Sequence, residues 1–220
     1  MTRIFFITGT DTGVGKTVLT VLLTRHLRLQ GTPVRAVKPF CSGGREDAEA
    51  LFAAQARAET MDSINPWHFR APLTPLLAAR RERRRVSRTE AESFLRTAAA
   101  GTQMLLVEGA GGVLSPLGEG FSARELISGV RAVPLVVCPN RLGAINQALL
   151  ALNALSGRAA DRARLVLMQP SQPDAASRTN PGLLREIIGP DGVFQLPWFG
   201  PGIPERPGIA VRRTLDQLLR

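Results

Sequence analysis

The sequence predicts an α/β fold, with a mostly parallel central sheet and helices on both of its faces. Short apolar runs alternate along the chain with longer segments whose apolar residues recur at helical spacing. Such alternation is typical of a parallel sheet wrapped by helices. The length of 220 residues suits one domain, and no repeat or low-complexity linker divides it. We therefore expect residues 1–220 to form a single domain.

The predicted strands are apolar runs that end at glycine, proline or a polar residue. They are 4–8, 34–39, 104–107, 133–137, 165–168 and 193–196. Because crossovers between parallel strands are right-handed, the carboxyl ends of these strands meet at one edge of the sheet, where ligands bind. The residues that follow each strand are therefore the candidates for function.

The predicted helices are segments with apolar residues three or four positions apart. They are 17–29, 47–58, 89–100, 144–155, 183–188 and 212–219. Gly31 closes the first, acidic residues begin the second where the helix dipole favours them, and Thr89 with Glu92 forms a capping box at the third. The stretch 61–75 is rich in proline and turn residues, so we expect a loop there.

The composition is strongly basic, with 28 Lys and Arg against 18 Asp and Glu and a net charge of +10. All the basic residues except Lys16 and Lys38 are arginine. An ammonium group is a compact charge that can titrate, whereas a guanidinium group is a planar fork, so two retained lysines indicate lysine chemistry. The densest basic stretch, 80–85, has no interleaved aromatic residue, which favours a solvated helix end over a nucleic-acid surface.

The sequence also excludes several classes of protein. No run reaches the ~18 apolar residues of a membrane span, and the start of the chain carries no signal-peptide pattern. Cys41 and Cys138 are too few for a disulfide framework. We expect a soluble cytoplasmic protein with no membrane or nucleic-acid partner.

The strongest motif is the glycine-rich stretch 9–17, between the first strand and the first helix. Its tail, Gly15-Lys16-Thr17, matches the P-loop, although the leading Gly9 lies one position further out than usual. Backbone N–H groups of such a loop surround phosphate oxygens, Lys16 would reach the β- and γ-phosphates, and Thr17 would bind Mg²⁺. The sequence therefore predicts the P-loop NTPase type of fold.

Three further polar residues are expected at the same edge. Lys38 would place a second cation on a transferring phosphate or an anionic intermediate, with an exposed strand-end lysine as the alternative. Asp47 suits a Mg²⁺ ligand or a helix N-cap equally well, and Glu108 is followed by glycines that let a ligand approach. His26 and His68 lack metal-ligand company in the sequence, so we expect them to be structural.

Several segments together resemble dethiobiotin synthetase, the ATP- and Mg²⁺-dependent enzyme family of biotin synthesis. The matching segments follow the family's order from residue 4 to about residue 205: 8–12 with 14–17, Lys38-Pro39 with Ser42-Gly43, Asp47-Ala48, Asn65-Pro66, Pro72 and Pro75, 108–112 with Pro116-Leu117, Leu142-Gly143 with Ile145-Asn146, and Pro197-Trp198. A P-loop alone is common to many ATPases, but this combination is specific.

The resemblance implies a ligase that closes a ring. In this family CO₂, supplied by bicarbonate, adds to one amine of 7,8-diaminopelargonate to form a carbamate. The carbamate attacks the γ-phosphate of ATP, giving a carbamic–phosphoric anhydride and ADP. The second amine then closes the cyclic urea of dethiobiotin and expels phosphate. Because every intermediate is anionic, catalysis consists largely of positioning and charge stabilisation.

The resemblance also assigns roles by matching position. Lys16 and Lys38 would be the catalytic cations, and Thr17, Asp47 and Glu108 would hold Mg²⁺. Thr12 and Ser42 would bind the substrate, together with Gly143 and Asn146 from the other subunit of a homodimer. The residues expected around ATP are Gly13, Val14, Gly15, Lys16, Thr17, Val18, Asp47, Glu108, Gly109, Ala110, Gly111, Gln169, Pro170, Pro197, Trp198, Phe199 and Glu205.

The chain departs from the family pattern at a few positions. Gln169 stands where the family usually has an asparagine that reads adenine, and glutamine keeps the same amide on a longer arm. The segment between Ser42 and Asp47 is short, Glu205 matches its family position only loosely, and no tyrosine is present. These departures bear on nucleotide selectivity and on recognition of the substrate carboxylate.

Two other classes of P-loop protein are alternatives. A cobyrinate-type amidoligase generally carries an added glutamine-amidotransferase domain, for which 220 residues leave no room. A partition-type ATPase switch has a signature lysine five residues before the P-loop lysine, and Asp11 stands there. ADP release that needs both diaminopelargonate and bicarbonate indicates the synthetase, whereas stimulation by DNA or lipid alone indicates the switch.

Overall fold

The computed structural model describes residues 2–220 and contains the predicted central sheet. Six parallel strands form it, in the spatial order β10-β9-β8-β1-β5-β2. Their bounds are β1 Arg3–Gly9, β2 Val34–Val37, β5 Met104–Glu108, β8 Val133–Pro139, β9 Arg164–Met168 and β10 Val193–Leu196. The register sets Ile7 beside Glu108 and Gly9 beside Val137, so the ends of the central strands lie side by side.

The helices cover both faces of the sheet. Their bounds are α1 Lys16–Leu29, α2 Glu46–Ala54, α3 Met61–Ile64, α4 Pro75–Arg81, α5 Arg88–Ala99, α6 Ala123–Gly129, α7 Ala144–Asn153, α8 Arg158–Asp161, α9 Ala175–Ile188 and α10 Ile209–Leu218. Phe6 of β1 belongs to the buried cluster under α5–α7, whereas its neighbours Phe5 and Ile7 belong to the cluster under α1, α2 and α10. This alternation along one strand produces a core on each side of the sheet and confirms the predicted fold class.

Four short strands lie outside the central sheet. β3 Phe40–Ser42 pairs in parallel with β4 Trp67–Phe69, and β6 Pro116–Gly118 pairs with β7 Phe121–Ser122 in antiparallel fashion. The prediction of a loop over 61–75 was wrong, since α3 and β4 lie within it. Within residues 2–220 no helix is long and apolar enough to cross a membrane.

The predicted end of the second helix and the predicted capping box of the third were also wrong. The helix expected over 47–58 ends at Ala54, because Ala56 and Arg57 adopt positive φ angles. The capping box of α5 is formed by Ser87 and Glu90, not by Thr89 and Glu92. Glu92 instead accepts hydrogen bonds from the arginines four residues on either side of it, which an N3 position would not permit.

Helix α9 begins eight residues earlier than the predicted 183–188 and continues through Pro181. Proline has no N–H to donate to the carbonyl oxygen four residues before it, that of Ser177. The side-chain amide of Asn140 donates to this oxygen instead, at 2.7 Å. The helix therefore tolerates an internal proline because a residue after β8 replaces the missing backbone hydrogen bond.

The edge strand β2 is covered by a side chain from α2. Gln55, 2% exposed, accepts a hydrogen bond from Ala36 N–H at 2.8 Å and donates to Ala36 C=O at 3.0 Å. The next outward-facing N–H, that of Lys38, donates to Ile64 C=O at 3.0 Å. Gln55 thus pairs with β2 as a neighbouring strand would and fixes the end of α2 against the sheet.

We expect Gln55→Leu to lower the free energy of unfolding by about 2–4 kcal/mol, because it leaves the buried N–H and C=O of Ala36 unpaired. Urea unfolding followed by circular dichroism measures this change. The matched control is Gln217→Leu, which replaces an exposed glutamine in α10 and should shift stability by less than about 0.5 kcal/mol. Equal stability of the two variants would contradict the role of Gln55.

Candidate active site

The P-loop joins β1 to α1 in a strained, glycine-dependent conformation. Gly13 and Gly15 have φ angles of 71° and 101°, and Gly15 directly precedes α1. A Cβ atom on Gly9 would lie 2.6 Å from Val14 Cγ2, so the loop also needs glycine at its first position. Lys16 and Thr17 are the first two residues of α1, where backbone N–H groups and the helix dipole favour an anion.

The ammonium group of Lys16 is buried beneath the loop and donates to the carbonyl oxygen of Asp11 at 2.6 Å. Burial lowers the pKa of Lys16 to about 8, and the nearby positive charge of Lys38 contributes to the shift. An ammonium group has three N–H donors, so Lys16 can donate to phosphate oxygens as well as to Asp11. An anion bound there would raise the pKa again.

Thr17, Lys38, Asp47 and Glu108 come together into one polar cluster at the ends of β2 and β5. The Thr17 hydroxyl lies 2.7 Å from Asp47 Oδ1 and 2.8 Å from Glu108 Oε1. Lys38 Nζ donates to Asp47 Oδ2 at 2.8 Å, Glu108 Oε1 at 2.7 Å and Gly109 C=O at 3.1 Å. Four residues that are distant in sequence thus form one hydrogen-bonded unit.

The charges of this cluster stabilise one another. Burial would lower the pKa of Lys38, but the carboxylates of Glu108 and Asp47 outweigh it and raise that pKa above its ordinary value. Burial would likewise raise the pKa of Asp47, and the ammonium of Lys38 with the hydrogen bonds from Lys38 and Thr17 lowers it instead. Lys38 is therefore a permanent cation at the end of β2, not the exposed strand-end lysine considered above.

Asn65 holds the backbone of Lys38 in place, although the sequence analysis gave it no role beyond the matching pattern. Its fully buried amide donates to Lys38 C=O at 2.7 Å and to Pro39 C=O at 3.2 Å. Arg45 donates in turn to Asn65 Oδ1 at 2.9 Å. The proximity of Asn65 to Lys38 depends on the pairing of β3 with β4, which no local sequence signal revealed.

The polar cluster can accept a magnesium ion. Glu108 Oε2 is buried and has no hydrogen-bond partner among residues 2–220, although a carboxylate oxygen rarely stays unpaired. A divalent cation or its bound water would satisfy this oxygen. No group of three His, Cys, Asp or Glu side chains suited to a metal occurs in the described part of the chain. The two carboxylates of the cluster are a donor set of the kind that Mg²⁺ uses together with substrate phosphates.

A cavity of about 820 Å³ opens beside the polar cluster. Thr12, Lys16 and Thr17 line one side, Lys38 and Ser42 line another, and Ala110 with Gly111 lines a third. The hydroxyl of Ser42 is buried and unpaired within the described residues, so it is available to a ligand. Cys41 also lines the cavity; burial raises the pKa of its thiol to about 11, so this thiol stays protonated.

A second cavity, of about 510 Å³, lies on the other side of the P-loop. Gly13, Gly15 and Val18 line both cavities, which places the loop between them. The remaining walls include the segments after β9 and β10 that the sequence analysis associated with ATP, namely Gln169, Pro170, Pro197, Trp198 and Phe199. Trp198 is 60% exposed, so it is a wall of this cavity and not a core residue.

Five of the predicted site residues line neither cavity. Two of them, Glu108 and Gly109, accept hydrogen bonds from Lys38 in the polar cluster, and the other three lie apart from it. Glu205 is 84% exposed on its side chain and pairs with Arg25 at 2.8 Å. Gly143 and Asn146 lie at the exposed start of α7, next to Leu142, which is 85% exposed. The structure therefore brings together the P-loop, the polar cluster and the segments after β9 and β10 within one chain. It leaves these three residues outside.

Comparisons with known proteins identify the fold and the family. A family model described as "AAA domain" matches residues 3–201. Among solved structures, the signal recognition particle receptor FtsY from Elizabethkingia anophelis aligns over the whole chain with a TM-score of 0.54 at 15% identity, and this chain spans 66% of it. The FtsY of Physcomitrella patens chloroplasts aligns with a TM-score of 0.56 at 16% identity. At such identities the likeness concerns the fold alone.

Curated relatives are more similar in sequence. The ATP-dependent dethiobiotin synthetase of Anaeromyxobacter sp. (strain Fw109-5) is 38% identical, over 88% of this chain and 89% of the relative. That of Anaeromyxobacter sp. (strain K) is 36% identical over 99% and 97%, and that of Bacillus subtilis (strain 168) is 32% identical over 85% and 84%. The chain belongs to the family of ATP-dependent dethiobiotin synthetases.

Proposed function

We propose that this protein converts 7,8-diaminopelargonate, CO₂ and ATP into dethiobiotin, ADP and phosphate. One amine adds to CO₂ and loses a proton, which gives a carbamate. A carbamate oxygen attacks the γ-phosphorus, the bond to ADP breaks, and a carbamic–phosphoric anhydride forms. The second amine attacks the anhydride carbonyl, phosphate leaves and a proton is released. The observation that supports this best is the pair of buried lysines beside a cavity with room for a small substrate.

The two cavities suit the two parts of this reaction. ATP would place its base in the 510 Å³ cavity and its phosphates across the P-loop, where Gly13 and Gly15 border both spaces. The diamine and its carbamate would occupy the 820 Å³ cavity, next to the unpaired hydroxyl of Ser42 and near Thr12. The γ-phosphate would then lie between the two lysines, where charge develops during transfer.

The two lysines would contribute differently. Lys16 has donors left for phosphate oxygens after its hydrogen bond to Asp11. Lys38 has all three N–H groups directed at protein acceptors, so it would exchange one of them for a carbamate or phosphate oxygen. Thr17, Asp47 and Glu108 would hold Mg²⁺, and a bound Mg²⁺ neutralises phosphate charge. The exchange keeps Lys38 near the reacting oxygens throughout.

A homodimer would complete the substrate site. The diamine carries a carboxylate, and the start of α7 offers unpaired helix N–H groups to an anion. This start, with Gly143 and Asn146, lies outside both cavities of its own chain, next to the exposed Leu142. It would therefore serve the cavity of a second subunit. Within each subunit, residues 1–220 would act as one domain.

The test of the proposed function is ADP formation by the purified protein with MgATP. We expect ADP release only when diaminopelargonate and bicarbonate are both present, with dethiobiotin formed in equal amount by mass spectrometry. Release of ADP in the absence of either substrate, or stimulation of that release by DNA or lipid vesicles instead, would contradict the proposal.

Lys38→Arg should lower kcat by at least about 100-fold, because a planar fork cannot direct three donors at Asp47, Glu108 and Gly109 from the same socket. ADP binding, measured by calorimetry, should persist because the P-loop is unchanged, and this binding serves as the test of folding. Turnover close to that of the unaltered protein would remove Lys38 from the catalytic step.

The affinity for ADP should fall as the pH rises from 8 to 9. Lys16 has a pKa of about 8 before binding, so the fraction in the ammonium form falls roughly fivefold over this interval. Because phosphate raises that pKa, binding should also take up a proton from buffer. Calorimetry in two buffers of different ionisation enthalpy measures both effects.

The control is Lys16→Arg, which stays charged and should show weaker but pH-independent binding. An equal pH dependence in this variant and in the unaltered protein would refute the assignment.

A further inference from the structure

A chain of side-chain amides borders the 510 Å³ cavity. Gln169, after β9, and Asn140, after β8, line this cavity, and Gln195 of β10 is the member that does not. Asn140 Nδ2 donates to Gln169 Oε1 at 3.1 Å, and Gln169 Nε2 donates to Gln195 Oε1 at 2.7 Å. Asn180, from α9, donates to Asn140 Oδ1 at 3.0 Å. Three neighbouring strand ends are thus connected through amide groups.

The direction of every hydrogen bond in this chain is dictated by two backbone carbonyl groups. The carbonyl oxygen of Ser177 accepts from Asn140 Nδ2, and that of Arg141 accepts from Asn180 Nδ2. A carbonyl oxygen can only accept, so both nitrogen ends are fixed. Asn140 then has one N–H left, which requires the oxygen of Gln169 to face it. The nitrogen of Gln169 must consequently face Gln195.

Burial makes this direction difficult to reverse. Asn140 is 1% exposed and Asn180 is 5% exposed. If Gln169 turned its amide over, its NH₂ group would face the NH₂ group of Asn140, and its oxygen would face the oxygen of Gln195. A free glutamine can turn its amide at little cost and so read either a donor or an acceptor. Gln169 has lost that freedom.

We propose that Asn140 is the positioning residue that fixes the amide of Gln169 and thereby sets the nucleobase preference, while Gln195 accepts from the nitrogen so placed. After its two bonds within the chain, Gln169 retains one acceptor site on Oε1 and one N–H donor on Nε2. That pair matches a base edge with an amino group next to a ring nitrogen, as in adenine. It opposes a 6-keto base, whose oxygen would face Oε1. This inference rests on the proposed placement of the base in this cavity.

Binding of ADP and IDP tests the inference, since the two nucleotides differ only at position 6 of the base and at the proton on the adjoining N1. We expect the unaltered protein to bind ADP at least tenfold more tightly than IDP. Asn140→Leu removes the N–H that fixes Gln169, so the amide can turn over, and the preference should fall at least fivefold. Gln195→Leu leaves the N–H of Asn140 facing Oε1 of Gln169 and is the matched control, which should keep the preference within twofold.

Because Asn140 is buried, the circular dichroism spectrum of Asn140→Leu must first match that of the unaltered protein. If it does not, Asn140→Ser decides the matter, since a hydroxyl can donate or accept and imposes no direction on Gln169. An ADP-to-IDP ratio near one in the unaltered protein, or a ratio unchanged within twofold in the folded Asn140 variant, would overturn the inference. Nucleotide binding needs no turnover, so failure of the proposed reaction would show separately, as absent dethiobiotin.

Discussion

The buried ion pair between Lys38 and Glu108 is the interaction on which the site depends. Glu108 is fully buried and Lys38 is 4% exposed, so neither charge could remain without the other. Removing one partner of such a pair costs about 3–5 kcal/mol, because the remaining charge is left uncompensated. The pair joins the ends of β2 and β5, and through Asp47 and Thr17 it reaches α2 and α1. The ion pair and its two hydrogen-bonded neighbours thus connect two strands and two helices.

The same ion pair explains how the site can be built before any ligand arrives. Charges that will face phosphates need partners in the empty protein, and here each lysine has them: Asp11 C=O for Lys16, and Asp47, Glu108 and Gly109 for Lys38. Binding of a phosphate ligand would then exchange acceptors without creating buried charge. Two of the five buried side-chain atoms that lack a partner in the described residues, Glu108 Oε2 and Ser42 Oγ, lie where ligands are expected.

Much of this arrangement could be predicted from the sequence, because parallel strands bring their carboxyl ends together. The P-loop, Lys38 and Glu108 each follow an apolar run, so their convergence followed from topology alone. Asn65 and the Asn140–Gln195 chain could not be predicted, since their contacts depend on which strands are neighbours. The early start of α9 was missed for a related reason. Pro181 argues against a helix locally, and its compensation comes from a residue about 40 positions away.

The cover over β2 has a consequence for how copies of the chain can associate. Gln55 and Ile64 C=O occupy the outward-facing groups of Ala36 and Lys38, so no second strand can be added along this border. The sheet therefore cannot grow into a continuous ribbon on that side. Such growth is the usual route to unwanted polymerisation of an open β-sheet. Self-association there would have to proceed by docking of helices and loops, whose side chains must match in shape and charge.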